Sequence, residues 1–264
     1  MKMLLKNVSH MFVILAYRES PYLEECIQSL IDQTVKTNVI AATSTSSEYL
    51  EKICAKHHIP LRINVNPAGT ISDDWNYAYR TAEADYVTLA HQDDIYRNDF
   101  TERVFTGNND FLIAFTNYYE IRECRTINRN LNLFIKRCLL LPFYIRHIIA
   151  NQFIRKAVLA FGSPVCCPSV TYNKKEIANF SFTGAYSINM DWLAWLALAR
   201  TPGSFKYISQ PLVYHRIHAF SETSVGLKEN RRQLEDRSVL QKIWGPRLGR
   251  ILARIYSCAY RSNK

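Results

Sequence analysis

The sequence predicts an α/β protein with a mostly parallel central sheet and flanking helices. Between residues 11 and 90, short apolar runs alternate three times with amphipathic segments of helical period, which is the pattern of strands joined by crossover helices. The chain has 264 residues, of which 48% are hydrophobic, so it can bury a sizeable core. No apolar run reaches the ~18 residues that a membrane-spanning helix needs.

Four strands and three helices are predicted in this first part. The strands cover residues 11–16, 38–42, 61–65 and 86–90. Ser20 and Pro21 open the first helix. Thr45 with Glu48, at capping-box spacing, opens the second helix, and Ser72 caps the third.

Beyond residue 121 the order of elements changes. Residues 122–156 mix basic and apolar side chains and predict an amphipathic helical insert that Pro142 interrupts. A strand over 165–172, a helix over 189–200 and an extended segment over 205–217 are predicted after it. Residues 225–264 predict a basic helical tail, broken at Trp244-Gly245-Pro246, and we expect this tail to follow one domain of residues 1–224.

The net charge of +10 is concentrated in two blocks. Residues 122–156 carry +7 and residues 225–264 carry another +7, whereas residues 1–121 carry −6. With apolar residues among the basic ones, this pattern is typical of a protein that lies on an anionic surface. A nucleic-acid-binding or interaction protein is the alternative that the charge allows, but no nucleic-acid motif is visible, so no nucleic-acid partner is expected.

The cysteines and the start of the chain indicate a cytoplasmic protein. The seven cysteines are scattered, without CxxC or Cys/His metal spacing, so reduced thiols are the simplest interpretation. The chain begins with a basic and then apolar segment, but Asn7, Ser9 and His10 interrupt it. We therefore interpret the segment as leading into the first strand rather than as a signal peptide.

Two adjacent aspartates, Asp93 and Asp94, follow the fourth predicted strand. Like charges this close repel each other unless a cation or the positive end of a helix lies beside them. In open α/β sheets, ligands bind at the carboxyl ends of the strands, which is where this pair is expected. For an isolated pair, a helix-capping acidic turn is the alternative.

Several motifs occur in an order that resembles one known family. They are "VILAYRESPYLEECIQSLIDQT", "ISDDWNYAYRTAEADYVTLAHQDDIY", "PSVTYNKKEI", "MDWLAWLAL" and "VYHRIHAFSETS". Together they resemble the family 2 glycosyltransferases of the GT-A fold, above all the bacterial members that build capsule, O-antigen and other surface polysaccharides. The resemblance covers residues 12–224, with 122–156 resembling a variable insert.

This resemblance implies a divalent cation, Mn²⁺ or Mg²⁺, that binds the diphosphate of a nucleotide-sugar donor. Asp93 matches the last aspartate of the family's Asp-any-Asp motif, with Asp94 beside it, and His91 replaces the first aspartate. Hard oxygen ligands suit both cations, and a cation there removes the repulsion. The family's helix-opening Glu-Asp pair matches Met190-Asp191, which makes Asp191 the expected general base of an inverting transfer.

Further donor contacts are implied at the strand ends. Tyr17 is expected near the nucleotide base, whereas the aspartate with which family members read uracil falls on Thr43 or Ser44. A neutral hydroxyl cannot act as that charged acceptor, so the base preference stays open. In "HRIH", Arg216 is expected to face the diphosphate and His218 the metal.

The resemblance also implies a glycan or lipid-linked acceptor. The basic and apolar residues of the insert and tail predict that these two blocks hold the enzyme on the anionic inner face of the cytoplasmic membrane, where a lipid-linked acceptor would be found. The tail alternatively packs on the body of the protein or joins two copies into a homo-oligomer. A nucleotidyltransferase is the enzymatic alternative, but that class shows a Gly-rich loop after its first strand, and "YRESPYL" contains no glycine.

Overall fold

The computed structural model describes residues 8–123, 125–219, 221, 226 and 229–261, with side chains as far as residue 257. The strands are β1 (His10–Leu15), β2 (Asn38–Thr43), β3 (Leu61–Ile63), β4 (Tyr86–His91), β5 (Ile95–Tyr96), β6 (Ile113–Arg122), β7 (Arg125–Ile127), β8 (Ile148–Ile149), β9 (Thr171–Asn173) and β10 (Phe205–Arg216). The helices are α1 (Leu23–Ile31), α2 (Glu48–Lys56), α3 (Ile71–Thr81), α4 (Phe100–Val104), α5 (Leu131–Leu139), α6 (Leu141–Ile145), α7 (Gln152–Leu159), α8 (Met190–Leu198) and α9 (Arg231–Arg261).

The strands form one sheet in the order β3-β2-β1-β4-β9-β6-β10-β5, with β7 added to β6 and β8 added to β10. β1 pairs in parallel with β2 and β4, and β2 pairs in parallel with β3. β9 is antiparallel to both β4 and β6, while β6 and β10 are parallel. The predicted fold class is confirmed: a mixed sheet is flanked by helices, and β9 separates its two parallel parts.

The side chains of β1 enter two different cores, because successive residues of a strand point to opposite faces of the sheet. Phe12 packs on one face with residues of α1 and α4 such as Phe100. Val13 belongs to the core on the other face, which includes residues of α3 and the fully buried Trp192 and Trp195 of α8. Helix α8 therefore packs with its tryptophans in the core on this second face of the sheet.

Two helix starts differ from the prediction. Helix α2 begins after Ser47, whose hydroxyl accepts a hydrogen bond from the first helical turn, while the hydroxyl of Thr45 accepts one from the backbone of Arg18 at 2.7 Å. Helix α3 is capped by Thr70 rather than Ser72. Each segment offers several hydroxyls within a few residues, so contacts elsewhere in the fold decide which of them caps the helix.

The strand predicted over residues 165–172 is mostly a turn. Residues Cys167–Ser169 form a short 3-10 helix, and β9 starts only at Thr171. Pro168 lies inside this turn, and a proline cannot donate a hydrogen bond to a neighbouring strand. The apolar composition of the segment therefore reflects burial rather than an extended conformation.

The insert is helical where its pattern predicts helix. Helices α5 and α6 are separated at Leu140, and Pro142 lies in the first turn of α6, where its missing N–H has no intrahelical partner to lose. Leu133 of α5 and Phe143 of α6 are buried on the inner side of the two helices. The opposite side of both helices faces outward.

Helix α9 is broken at Gly245, as predicted, with a φ of +78° that favours glycine. Before the break, Val239 and Leu240 are fully buried. After it, Gly249 approaches the backbone of Gln241 so closely that a Cβ would lie 2.5 Å from the Gln241 Cα. The two parts of α9 therefore fold tightly onto each other.

The tail packs against the rest of the protein around Trp244. The indole Nε1 of Trp244 donates to the carbonyl oxygen of Ala160 at 2.7 Å, and its ring contacts that of Phe161. The predicted domain boundary at residue 224 lies outside the described residues. Within the described ranges, none of the helices has the length and apolar content to span a bilayer.

Candidate active site

Asp94 is the buried member of the aspartate pair that follows β4. Its side chain is 0% exposed and accepts hydrogen bonds from His215 Nδ1 at 3.0 Å and from the backbone N of Arg216 at 2.8 Å. Both partners lie at the end of β10, so Asp94 ties the loop after β4 to that strand. Burial tends to lower the pKa of His215, but the charge and hydrogen bond of Asp94 raise it overall.

Asp93 contacts the second histidine of "HRIH". Its Oδ2 lies 2.8 Å from His218 Nε2, and its carbonyl oxygen accepts from Arg216 Nε at 2.9 Å. Burial opposes ionisation of Asp93, but the hydrogen bond from His218 and the charges of the neighbouring histidines lower its pKa overall. The Asp93 side chain is therefore held as a carboxylate.

Arg216 is engaged by the protein itself. Its Nη2 lies 2.5 Å from Glu25 Oε2, and its guanidinium lies 4.3 Å from the centre of the Tyr22 ring. Together with its bond to the Asp93 carbonyl, these contacts fasten the Asp93 loop to α1. A direct contact of Arg216 with a diphosphate stays a prediction.

Among the described residues, His91, Asp93 and Asp94 form one group able to hold a metal ion, with ligand atoms all within 4.8 Å of one another. The Nε2 of His91 is buried without a hydrogen-bond partner, and burial lowers the pKa of the ring, which favours the neutral imidazole that ligates metals. Carboxylate oxygens are the ligands that Mn²⁺ and Mg²⁺ prefer, so the residues present fit the expected cofactor. His218 approaches this group through Asp93 and is not itself a member.

Tyr17 and Gln92 join the ends of β1 and β4. The backbone N of Tyr17 donates to Gln92 Oε1 at 3.0 Å, and Gln92 Nε2 donates to the Tyr17 carbonyl at 2.9 Å. The side chain of Tyr17 is 46% exposed and so is available to a ligand. Sequence reasoning missed Gln92, whose position between His91 and Asp93 is the only signal that points to it.

Thr43 and Ser44 lie at the end of β2, in different surroundings. Thr43 is buried, and its hydroxyl accepts from the backbone N of Thr45 at 3.0 Å, so it shapes the turn from inside. Ser44 lies beside Asp74, which is in the first turn of α3, and burial raises the pKa of that carboxyl. A carboxyl group is thus present beside Ser44, although the sequence position that matches the family's aspartate is neutral.

Asp191 lies in the first turn of α8, as the sequence predicts. Its Oδ1 accepts from the backbone N of Trp192 at 2.6 Å. Burial raises its pKa, and Arg232 is the foremost of the charges that oppose this rise. A carboxylate with a raised pKa is suited to take a proton near neutral pH.

Two acidic residues of α9 hold the start of α8. Glu235 accepts hydrogen bonds from the backbone N of Ser187, Ile188 and Asn189 at 3.0, 2.9 and 2.8 Å. Asp236 accepts from Asn189 Nδ2 at 2.7 Å. Negative charge stabilises a helix N-terminus. Sequence reasoning missed both residues, since no spacing rule links side chains this far apart in the chain.

The Cys166-Cys167 turn links the two parts of the site electrostatically. Burial is the main cause that raises the pKa of the Cys167 thiol, and the charges of Asp191 and Asp94 both add to the rise. Both carboxylates are therefore within electrostatic reach of this thiol, although 97 positions of chain separate Asp94 from Asp191.

Comparisons with known proteins define the class. The model of the family "Glycosyl transferase family 2" matches residues 11–180. TarS of S. aureus (residues 1–349) has a similar structure, with a TM-score of 0.61 at 11% identity over 97% of this chain and 92% of that chain. Glucosyl-3-phosphoglycerate synthase of Mycobacterium tuberculosis, in complex with Mn²⁺ and UDP-glucose, has a TM-score of 0.60 at 15% identity, over 92% of this chain and 83% of that chain. The mannosyltransferase PcManGT of Pyrobaculum calidifontis, in complex with GDP-Man and Mn²⁺, has a TM-score of 0.56 at 12% identity, over 97% of this chain and 76% of that chain. No curated protein sequence matches the chain.

Because the family model covers more than half of its length, the chain belongs to family 2 of the glycosyl transferases. The predicted GT-A fold is confirmed. The predicted enzyme class, a glycosyltransferase, is confirmed as well. The described residues include a group that fits the predicted divalent cation. The acceptor, the membrane surface and the roles of individual site residues stay predictions.

Proposed function

We propose that this chain is an inverting glycosyltransferase that moves a sugar from a nucleoside-diphosphate donor to a glycan or lipid-linked acceptor in the synthesis of a bacterial surface polysaccharide. One observation carries the proposal: the cation-holding group, His91, Asp93 and Asp94, and a separate, partly buried carboxylate, Asp191, are within electrostatic reach of one another, because the charges of Asp94 and Asp191 both act on the Cys167 thiol. The first group suits a leaving diphosphate, and the second suits an attacking hydroxyl.

On the donor side, hydrogen bonds hold the carboxylates in place before any ligand binds. His218 and Arg216 fix Asp93, and His215 fixes Asp94. When bound, Mn²⁺ or Mg²⁺ supplies the positive charge that stabilises the diphosphate as the bond to the sugar breaks. Because the carboxylates are already oriented, little reorganisation is needed when the donor arrives.

On the acceptor side, Asp191 is the base. The acceptor hydroxyl oxygen forms a bond to the anomeric carbon, and its proton passes to the Asp191 carboxylate. The electron pair of the broken carbon–oxygen bond leaves with the diphosphate. Since the hydroxyl attacks opposite the leaving group, the configuration at the anomeric carbon is inverted.

At the nucleotide, we propose that Tyr17 contacts the base and that Asp74, next to Ser44, supplies the polar acceptor. The exposed ring of Tyr17 and the place of Asp74 beside the end of β2 support this assignment. Similar structures contain two different donors, UDP-GlcNAc in TarS and GDP-Man in PcManGT. Uridine and guanosine diphosphates are therefore the first nucleotides to test.

The proposal includes attachment to the anionic inner face of the cytoplasmic membrane. After its break, α9 leaves Leu248, Ile251 and Ile255 exposed at helical spacing. The arginines around this stripe are Arg247, Arg250 and Arg254. A basic amphipathic helix of this kind lies in the headgroup region of anionic lipids. Pairing of two copies through the same stripe is the competing arrangement.

The experiment is a thermal-shift panel of nucleoside diphosphates with Mn²⁺ and with EDTA. We expect UDP or GDP to stabilise the protein only when Mn²⁺ is present, by about 2.7 kcal/mol at a ligand concentration of 100 Kd. Asp93→Ala should abolish this stabilisation. The matched control Asp110→Ala, at an exposed loop position, should keep it. A metal-dependent shift of equal size in Asp93→Ala would refute the assignment of Asp93.

A further inference from the structure

The backbone that follows β1 has an unfavourable conformation next to the proposed nucleotide site. Arg18 has a φ of +54°, in the left-handed region that a residue with a Cβ rarely adopts. The regular pairing of β1 with β4 has already ended, at Leu15 and His91. A conformation of this kind persists only where surrounding contacts hold it, and it is frequent at ligand-binding sites. The contacts that hold Arg18 and its neighbour Tyr17 are therefore candidates for a functional role.

The Gln92 side chain holds both backbone polar groups of Tyr17. Its Oε1 accepts a hydrogen bond from the Tyr17 N at 3.0 Å, and its Nε2 donates to the Tyr17 carbonyl oxygen at 2.9 Å. The carboxamide thus takes the place of a peptide group and extends the connection of β1 with β4 beyond the last backbone pair. A carboxylate has no donor and an ammonium group no acceptor, so neither could make both bonds.

Thr45 holds the same segment from the loop after β2. Its hydroxyl accepts from the backbone N of Arg18 at 2.7 Å, and its own backbone N donates to the Thr43 hydroxyl at 3.0 Å. The loops after β2 and β4 therefore hold the Tyr17-Arg18 segment between them. These contacts explain how the left-handed Arg18 is maintained, and they fix the backbone that carries the exposed ring of Tyr17.

Gln92 also directly precedes a proposed cation ligand. The Asp93 carboxylate belongs to the cation-holding group, and its Oδ2 lies 2.8 Å from His218 Nε2. Gln92 therefore connects the backbone of the base-contacting Tyr17 with the backbone of Asp93. The base and the diphosphate are the two ends of one nucleotide, and the protein groups proposed to meet them are joined through this single side chain.

We propose that Gln92 is a positioning residue for the donor: it fixes Tyr17 relative to Asp93, so that the base and the metal-bound diphosphate of one nucleotide are contacted together. The inference rests on the proposed function for the roles of Tyr17 and Asp93. A site whose parts are held at the correct separation before the ligand arrives loses less conformational freedom on binding. Loss of the Gln92 bonds therefore weakens nucleotide binding through Tyr17.

The test is a double-mutant cycle on Mn²⁺-dependent binding of UDP and GDP to the full chain, measured by calorimetry. Gln92→Met keeps the length of the side chain and removes both hydrogen bonds, and Tyr17→Ala removes the ring. Each should weaken binding of the nucleotide that the unmodified chain binds by about 10-fold. The double variant should bind no more weakly than Tyr17→Ala, because Gln92 acts through Tyr17. Additive losses would overturn the proposal.

Two controls distinguish positioning from a structural role. Gln28→Met removes an exposed glutamine amide that donates to Asp32 on α1, and it should bind the nucleotide as the unmodified chain does. Gln92→Ala should reproduce the loss seen in Gln92→Met, since both lack the amide. The unfolding temperature of each variant is measured on the same preparation. Gln92 variants that unfold at a lower temperature but bind the nucleotide normally would show a structural role alone and refute the inference.

Two outcomes separate this inference from the proposed function. If neither UDP nor GDP binds the unmodified chain in the presence of Mn²⁺, the proposed function fails and the inference fails with it. If the unmodified chain binds a nucleotide and both Gln92 variants bind it equally well, the proposed function stands and only the inference is wrong.

Discussion

The Glu235 carboxylate of α9 accepts a hydrogen bond from the backbone N of Asn189, the residue before α8, at 2.8 Å. Asp191, the proposed base, lies two residues further on. Helix α9 therefore sets the position of the first turn of α8 and of the carboxylate that it carries. Helix α9 thus supports the proposed base and is also the candidate membrane attachment.

Glu235→Ala should lower turnover without changing nucleotide affinity. The substitution removes three hydrogen bonds to the amides before α8, so Asp191 is no longer held in place. We expect turnover to fall about 10-fold and unfolding free energy by about 1 kcal/mol. Glu235→Gln, which keeps an acceptor, should recover part of both losses. The control Glu229→Gln alters an exposed ion pair with Arg231 and should change neither.

Asp191→Asn should spare donor binding and lower turnover by about 10²-fold or more, because the amide cannot take the proton. Kinetics and Mn²⁺-dependent nucleotide binding measured on the same preparation separate these two effects. Near-normal turnover would move the role of base to another carboxylate.

The raised pKa of Asp191 leads us to predict how turnover and stability depend on pH. Turnover should fall as pH drops through that pKa, since the base must be ionised, and this acid limb should lie above the pKa of an ordinary aspartate. The folded state binds the proton more tightly than the unfolded state, so the Asp191 contribution to stability declines as pH rises from the unfolded to the folded pKa. At neutral pH, Asp191→Asn should therefore unfold at the same or a higher temperature than the unmodified chain. A lower unfolding temperature would contradict the burial argument.

His218→Ala should weaken Mn²⁺ binding by about 10- to 100-fold through its effect on Asp93. In the fold, His218 Nε2 orients the Asp93 carboxylate from 2.8 Å. Titration of Mn²⁺ in the presence of a nucleoside diphosphate measures the change. His147→Ala, on the surface at β8, is the matched control. An unchanged Mn²⁺ affinity would show that Asp93 needs no support from His218.

The first four strands and the Asp93 loop could be predicted from sequence, because their signals are local. Strand β4 is a buried run of residues that ends directly in polar side chains, and the loop follows it in the chain. The cap of α2 could not be predicted in the same way. Thr45 has the right side chain and spacing, but it accepts from Arg18 on another loop, so the helix starts after Ser47.

Contacts between distant parts of the chain account for what the sequence does not reveal about the site. Asp191 could be singled out by its place in the first turn of a helix, yet its electrostatic link to Cys167 arises only in the folded chain, where the Cys167 turn leads into β9 between β4 and β6. In the sequence, Glu235 is one of many charged residues on an amphipathic helix. It caps the start of α8 only because α9 packs against that end of the helix in the fold.

The last prediction concerns attachment to the membrane through the second part of α9. Truncation after residue 224 is a poor test, because it would also remove the buried Val239 and Leu240 and the cap that Glu235 provides. The triple variant Leu248→Ser/Ile251→Ser/Ile255→Ser changes only exposed side chains and keeps the arginines. Flotation with anionic and neutral liposomes at low salt is the measurement. We expect the unmodified chain to float with anionic liposomes and the variant to stay largely unbound, because the arginines alone add on the order of 1 kcal/mol each.

The second arm of this experiment separates apolar insertion from simple charge attraction and from pairing of two copies. Arg247→Gln/Arg250→Gln/Arg254→Gln keeps the apolar stripe, and its binding should become weak and insensitive to salt. Light scattering without lipid reports whether the chain is dimeric and whether the serine variant is monomeric. If the unmodified chain does not bind anionic liposomes, or if the serine variant floats with them as well as the unmodified chain does, α9 is not the membrane anchor.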